Sequence, residues 1–459
     1  MRKFILFLVA ILFFVCNFNF AYADQKIRVG LESQFKVAES AKIANKKIYL
    51  GFDEKFSDYP FEAKNNFIVS VNKKFYVSTN KKFDSYQNAL SAKNNYVKDG
   101  YKSVVCAQKN AWSVYVGEFD NLDEAKKLNS IIGGSIICPQ EKHLVIYDGD
   151  VSFIIFEDNS LCPQFKSDEF IKLNDREYRG IIEFGFYDTN KIMAVNILSL
   201  NEYLYGTVPS EMPASWPQEA LKAQAVACRT YTLTKLKSHK YYDVCDLTHC
   251  QVYLGVKNES QTVNKLIHET KNICIYYNDK LIDAVFFSSS GGVTENAENV
   301  WSNSVEYLKS KVELNEQNPK IWTREFKSSQ LKQLLAENKI DIGDVLGVEI
   351  LEYAPSDRVN KISIIGTNGQ KVLAKEEIRS FFAKSKGGSL ESRMFTVTNK
   401  IPDSLDEDNS KNLDCTIIFQ GRGWGHAVGM SQYGAKGMAQ MGFKFDDILK
   451  YYYTGVQVK

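Results

Sequence analysis

Apolar residues along this chain gather in short runs rich in valine, isoleucine and phenylalanine, with turn-forming residues between the runs. That pattern predicts strands at residues 27–31, 47–51, 67–71, 75–77, 104–106, 112–117 and 136–138. From about Asp148 the runs become denser, with strands expected at 152–156, 181–186 and 193–198 and buried ones at 273–277 and 284–287. Helical spacing predicts helices over 327–338, 375–384 and 431–441. Another helix is expected from about Trp216. Ser215 and Gln218 match a capping box, and Pro217 is tolerated in a first turn that needs no backbone N–H. Along it Ala220, Ala223, Ala227 and Tyr231 recur at i, i+3, i+7 and i+11, a small-residue stripe suited to close packing. The acidic run 402–410 reads as a solvated loop.

One part of the chain repeats itself. Phe83 and Asp84, then Ala89 and a Val-Val-Cys ending at Cys106, are echoed by Phe119 and Asp120, then Ala125 and an Ile-Ile-Cys ending at Cys138. Each half reads as strand, loop, helix, strand, and doubling such a unit gives a small ferredoxin-like α+β sheet. Equivalent strand ends would set Cys106 beside Cys138, which leaves a disulfide and two buried thiols as open readings.

At 459 residues the chain is too long for one ordinary domain, and with 44% hydrophobic and 24% charged residues it can bury real cores. A multidomain α+β protein is expected. The formal net charge of +2 gives no electrostatic case for nucleic acid or for an anionic membrane surface. Arg2 and Lys3, twelve apolar residues from Phe4 to Val15, and the small residues Ala21 and Ala23 have the form of a secretory leader cleaved after Ala23. An uncleaved anchor is the alternative, and no other segment reads as transmembrane. The mature chain is therefore expected outside the cytoplasmic membrane, secreted or in the cell envelope. Of nine cysteines, Cys16 lies in the leader, and those left are too few for a disulfide scaffold of this length.

Four stretches offer chemistry. Glu211 stands between Pro209 and Pro213, near Met212 and Trp216, so it is expected in a stiff, partly desolvated loop. Such surroundings raise a carboxyl pKa toward a working general acid, whereas a plain surface carboxylate is the simpler reading. Cys245, His249 and Cys250 set two thiols and an imidazole close together, a set suited to one tetrahedral zinc. A local disulfide is the rival, and zinc leads because a disulfide gives the histidine no role. At the glycine turn after the strand 284–287, Ser288, Ser289 and Thr294 are candidates for hydrogen bonds to sugar hydroxyls, against a purely structural turn. In the glycine-rich stretch 421–434, Trp424 and Tyr433 offer stacking faces, His426 and Gln432 offer hydrogen bonds, and the glycines let backbone approach a ligand. That combination suits a carbohydrate. The same stretch mimics a dinucleotide fingerprint, which is rejected because only one helix and a short tail are expected after it. A serine hydrolase built on Ser431 and His426 lacks the required nucleophile elbow.

Five blocks, in order, resemble the stage II sporulation protein D (SpoIID)/LytB family over residues 148–459. They are Val208-Pro-Ser-Glu-Met-Pro213, Lys222-Ala-Gln-Ala-Val-Ala-Cys-Arg-Thr-Tyr231, His249-Cys-Gln-Val-Tyr253, Ser288-Ser-Ser-Gly-Gly292 and Gly423-Trp-Gly-His-Ala-Val-Gly-Met-Ser-Gln-Tyr-Gly-Ala435. The resemblance implies a lytic transglycosylase that cuts peptidoglycan glycan strands freed of stem peptides and leaves 1,6-anhydro-N-acetylmuramic ends. It makes Glu211 the catalytic acid and places Arg229, Gln251 and Tyr253 at the substrate with the serines and the glycine-rich stretch. One carboxylate suffices for that reaction, acting first as acid and then as base, whereas hydrolytic glycosidases generally use two. The resemblance also implies a zinc near Cys245, His249 and Cys250, structural rather than catalytic. LytB-like relatives imply a competing class, a non-catalytic glycan-binding enhancer whose partner is a peptidoglycan amidase. Residues 67–145 resemble the SPOR domain, which binds peptide-free glycan, through the repeat and the strand Val114-Tyr-Val-Gly-Glu-Phe119. The expected organisation is a leader at 1–23, an N-terminal β segment at 24–66, a ferredoxin-like SPOR-type domain at 67–145 and a larger mixed α+β catalytic domain at 148–459.

Overall fold

The computed structural model describes residues 24–459 apart from 58–59, 109, 140, 150, 158–161, 189 and 401–413. The leader and the acidic run at 402–410 lie outside the described residues. The chain is α+β and divides into two compact units, one of residues 1–211 with 235–264, the other of 212–234 with 265–459. Among the described residues no helix is long and apolar enough to cross a membrane.

The first unit is built on two sheets. In one, the repeat folds as β1 (Phe75–Ser78), α1 (Tyr86–Lys98), β2 (Ser103–Gln108), β3 (Ala111–Phe119), α2 (Leu122–Ile132) and β4 (Ser135–Ile137). The strands pair antiparallel in the order β4-β1-β3-β2, the ferredoxin-like arrangement that the doubling predicts. Ser85 and Asn121 cap the two helices, each side-chain oxygen accepting from the N–H three residues on. The sheet does not stop there. It continues from β2 through Val151–Glu157, His143–Asp148, Phe67–Val71 and Ser40–Ile43 to Ile171–Leu173 and Arg176–Tyr178, ten strands in all. It also curls: the rings of Tyr115 and His143 come within 6.2 Å although two strands lie between theirs. A flat sheet would hold those strands about 14 Å apart.

The expected proximity of Cys106 and Cys138 is corrected by this strand order. Cys106 lies on β2 and Cys138 follows β4, the two outer strands of the four, with β1 and β3 between them. Both residues are free thiols. The repeat makes the two positions equivalent, and equivalence in this topology means opposite edges.

The second sheet of this unit runs Val244–Cys245, Lys26–Gly30, Lys191–Ser199, Ile181–Asp188, Gln164–Lys166, Lys47–Phe52 and Lys55–Phe56. Its strand Lys191–Ser199 passes directly into α3 (Leu200–Glu211).

In the second unit, α4 (Gln218–Thr234) starts two residues beyond the expected Trp216, its first turn closed by the Leu221 N–H donating to the Pro217 carbonyl at 3.2 Å. The small-residue stripe packs as expected. Ala223, Val226 and Ala227 share a core with Ala435 and Met438 of α5 (Gln432–Gln440) and with Ile448, Leu449 and Tyr452 of α6 (Phe445–Tyr452). Two helices thus follow the glycine-rich stretch where one was expected, and the last strand, Gln457–Val458, pairs with Ile275–Tyr277. Between Ile321 and Arg422 two three-stranded sheets and the helix Ser328–Glu337 enclose a separate core of Leu331, Leu335, Ile362, Ile364, Phe382 and Phe419.

Candidate functional site

Glu211 ends helix α3 instead of standing in a loop. Pro209 lies inside the helix, where it has no N–H to give. Ser210 secures the last turn, its Oγ donating to the Gly206 carbonyl at 2.6 Å and accepting from Asn258 Nδ2 at 3.2 Å. The helix lies tight against residues 251–255 because Gly206 carries no side chain. A Cβ there would come within 2.5 Å of the Gly255 carbonyl oxygen and 2.8 Å of the Tyr253 ring. That close approach lets the Val252 N–H donate to Glu211 Oε1 at 2.7 Å. Glu211 is half-buried. The negative end of the helix dipole works against its anion, and the Val252 amide works for it.

Gln251 and Tyr253, on either side of that amide, are each 1% exposed. Gln251 Oε1 accepts from the Tyr203 hydroxyl at 3.0 Å, and the Tyr253 hydroxyl donates to Asn196 Oδ1 at 2.7 Å. Asn196 in turn donates to the carbonyls of Arg179 and Ile181 at 2.8 and 3.0 Å. Direct contact with substrate was expected of both residues. Their burial makes them the support that holds the Val252 N–H under Glu211.

Cys245 reaches its place because Val244–Cys245 pairs in parallel with Lys26–Gly30. His249 Nδ1 lies 3.8 Å from Cys245 Sγ and 3.4 Å from Cys250 Sγ, and His239 Nε2 lies 3.4 Å from Cys250 Sγ. His239 was missed in the sequence because it stands outside the compact Cys-His-Cys run, and a lone histidine a few residues upstream was the available signal. Zinc bonded tetrahedrally at about 2.3 Å to sulfur and about 2.0–2.1 Å to nitrogen separates an S and an N ligand by about 3.6 Å. The three distances agree with that edge to a few tenths of an ångström; His239, His249 and Cys250 converge as a group able to hold one metal ion, and Cys245 is the neighbouring thiol beside His249. The hydrogen bond between the two thiols holds Cys245 well below the usual thiol range and pushes Cys250 up.

In the second unit the serine-glycine turn and the glycine-rich stretch are bound to each other. Phe286 and Phe287 pair in parallel with Met430 and Ser431, and Ser289 and Trp424 exchange backbone hydrogen bonds at 2.7 and 3.0 Å. The Tyr433 N–H donates to the Ser288 carbonyl at 3.0 Å. Gly423 takes φ of 83°, and a Cβ on it would come within 2.9 Å of the Ser289 carbonyl oxygen. Ser288 and Tyr433 are partly exposed and Trp424 is 43% exposed, with Lys320 Nζ 4.3 Å from the centre of its ring.

Most other expected sugar contacts of this unit are inside it, whereas His426 is partly exposed. Ser289, Thr294 and Gln432 are buried, and Thr294 Oγ1 accepts from the Lys311 N–H at 2.7 Å. His426 Nδ1 accepts from the Val428 N–H at 3.1 Å, and its ring lies 5.6 Å from that of Phe287 and 5.1 Å from that of Trp301. Desolvation pushes its pKa down to about 3, so it stays neutral and serves the loop as a strut. Arg229, 0% exposed, donates to the carbonyls of Ile273 at 3.1 Å and Ile267 at 3.3 Å, and desolvation lowers its pKa to about 10. The expectation of substrate contact at Arg229 is corrected: the side chain is a buried brace.

Two glutamates that no motif announced complete this unit's polar centre. Glu316 accepts from the N–H groups of Ser290, Gly291 and Gly292 at 3.0, 2.9 and 3.2 Å, filling the nest that the turn makes for an anion. Glu313 Oε2 accepts from the Tyr452 hydroxyl at 2.6 Å, while Oε1 is buried without a hydrogen-bond partner among the described residues. Burial raises the Glu313 pKa to about 7.

Comparison with known proteins follows the same order of blocks. The family model described as SpoIID, stage II sporulation protein, matches residues 188–277, a span holding Glu211 and the four thiol and imidazole residues. A second, described as a domain of unknown function (DUF8618), matches residues 288–429. The chain is 34% identical over 284 residues to stage II sporulation protein D of Bacillus subtilis, covering 58% of this chain and 75% of that one. It is 34% identical over 319 residues to the amidase enhancer of the same organism, covering 62% of this chain and 44% of that one, so it spans less than half of that relative. An uncharacterized protein of Brachyspira hyodysenteriae is 32% identical over 299 residues, covering 64% and 75%. The chain belongs to the SpoIID/LytB family.

Proposed function

We propose that this protein is a lytic transglycosylase acting on peptidoglycan glycan strands freed of their stem peptides. The observation that carries the reading is Glu211 at the end of α3, one carboxyl oxygen held by the Val252 amide. As an acid Glu211 protonates the glycosidic oxygen while the bond from C1 to that oxygen breaks. As a base it then takes the proton of the muramic C6 hydroxyl while that oxygen bonds to C1. No water is consumed, and the new end is a 1,6-anhydro ring. A carboxylate fixed through main chain can serve both steps without being repositioned.

In the other unit Trp424, Tyr433, Ser288 and His426 are partly exposed groups able to stack on sugar rings and bond their hydroxyls. His239, Cys245, His249 and Cys250 would hold a zinc ion, which supplies cross-linking of the chain there and no chemistry at the sugar. The SPOR-like segment 67–145 ahead of a catalytic segment 148–459 adds a tethered second contact to the same glycan. Relatives named stage II sporulation protein D support a role in sporulation or cell-wall remodelling, in the envelope or outside the cell.

The relative named amidase enhancer supports a second reading, in which the chain binds glycan and stimulates a peptidoglycan amidase without cutting. Purified protein incubated with peptide-free strands in the absence of any amidase separates the two. Anhydro ends that vanish in Glu211→Gln support the first, and an intact substrate with amidase stimulation unchanged in Glu211→Gln supports the second.

A further inference from the structure

Lys436 carries an ammonium whose charge is not spent inside the protein. It lies on α5 one turn beyond Tyr433, so the two share a helix face. Its Nζ is 4.9 Å from the centre of the Trp216 ring and 5.9 Å from that of Tyr433, and the two rings meet edge to face at 4.9 Å. Some lysines of this unit have carboxylate partners, Lys222 with Glu219 and Glu269, Lys309 with Glu298 and Lys450 with Asp446, whereas Lys320 lies like Lys436 over an aromatic ring. Lys436 has none among the described residues, and it, Trp216 and Tyr433 are all partly exposed. The Tyr433 N–H ties this group to Ser288, and Trp216 follows Glu211 by five residues in the chain.

Two partly exposed rings and a cation without a carboxylate partner form a platform for a sugar that bears a negative charge. The apolar face of a pyranose stacks on indole or phenol, and a carboxylate takes the ammonium. In a glycan strand stripped of its peptides each muramic residue ends in a free lactyl carboxylate. In an unstripped strand the same carboxyl is an uncharged amide to the stem peptide. The charge therefore appears only when the peptide is gone. We infer that Lys436, seated on the Trp216 and Tyr433 rings, is the specificity-determining residue that reads this free lactyl carboxylate. The inference rests on the glycan-strand reading above.

The test compares peptide-free strands with the same strands after their lactyl carboxylates are converted to simple amides. Dissociation constants and product formation are measured for wild type, Lys436→Met and Lys436→Arg, with thermal unfolding as the folding control. Wild type is expected to bind the free-carboxylate strands roughly ten- to a hundredfold tighter, the range of a charge-assisted hydrogen bond. Lys436→Met should bind both strands as weakly as wild type binds the amide, and Lys436→Arg should restore most of the preference. The inference is overturned if wild type shows no preference, or if Lys436→Met keeps the wild-type preference. Should the preference depend on Lys436 while wild type forms no anhydro ends, the transglycosylase reading fails and this one stands. Should anhydro ends form with equal preference for both strands, the reverse holds.

Discussion

The Val252 N–H donates to Glu211 Oε1 at 2.7 Å, which anchors the proposed acid to the main chain. Glutamine at position 211 keeps an acceptor for that amide, so Glu211→Gln should unfold in urea within about 0.5 kcal/mol of wild type. Glu211→Ala leaves the amide unpaired and should cost about 1–3 kcal/mol. Equal stabilities for the two variants would mean that the bond contributes nothing to the fold.

Arg229 should act on stability and not on glycan affinity. Arg229→Met strips the buried Ile273 carbonyl of its Arg229 donor and leaves the Ile267 carbonyl with the Thr270 hydroxyl, with an expected loss of about 1–3 kcal/mol in urea unfolding. Glycan affinity of the folded variant should match wild type. A variant of wild-type stability with weakened glycan binding would restore Arg229 to the substrate.

The thiol and imidazole cluster predicts a metal-dependent fold. Dialysed, reduced protein should retain about one zinc per chain, and a chelator should lower its Tm. His239→Ala and Cys245→Ser should each lose metal and gain no further sensitivity to the chelator. Metal-free wild type with an unchanged Tm would reject the site.

Glu313 predicts a pH dependence of a definite sign. Its carboxyl titrates at about 7 in the fold against 4.5 when free, so the folded chain holds a proton that the unfolded chain releases. Stability is thus expected to fall as pH rises from about 4.5 to 7, by up to about 3 kcal/mol from this group. Glu313→Gln removes the titration, and its unfolding free energy should be flatter over that window and higher than wild type at pH 8. Parallel profiles for the two proteins would contradict the burial of this carboxyl.

Local pattern made the strands of the repeat and the packing stripe of α4 legible, because each depends on neighbours in sequence. Cys106 and Cys138 show where pattern stops, since the strand order that parts them is fixed by long-range pairing. Pro209 marked a loop by its missing N–H, but the helix runs through it to Glu211, with the Ser210 hydroxyl bonding the Gly206 carbonyl in the last turn. Glu211, Ser288, Trp424 and Tyr433 could be picked out as chemistry, yet residue type alone does not say which polar side chains turn inward. Gln251, Tyr253, Thr294 and Arg229 turned inward, and their motif positions reflect the support of loops. Glu313 and Glu316 were illegible because they act through contacts that only folding creates, and His239 offered only its place a few residues upstream of the Cys-His-Cys run.

Cleavage of peptide-free strands in water labelled with heavy oxygen tests the proposed role of Glu211 most directly. Wild type should give fragments whose new muramic ends lack one water relative to hydrolysis and carry no label, and Glu211→Gln should give none. Labelled reducing ends, or the same fragments from both proteins, would contradict it.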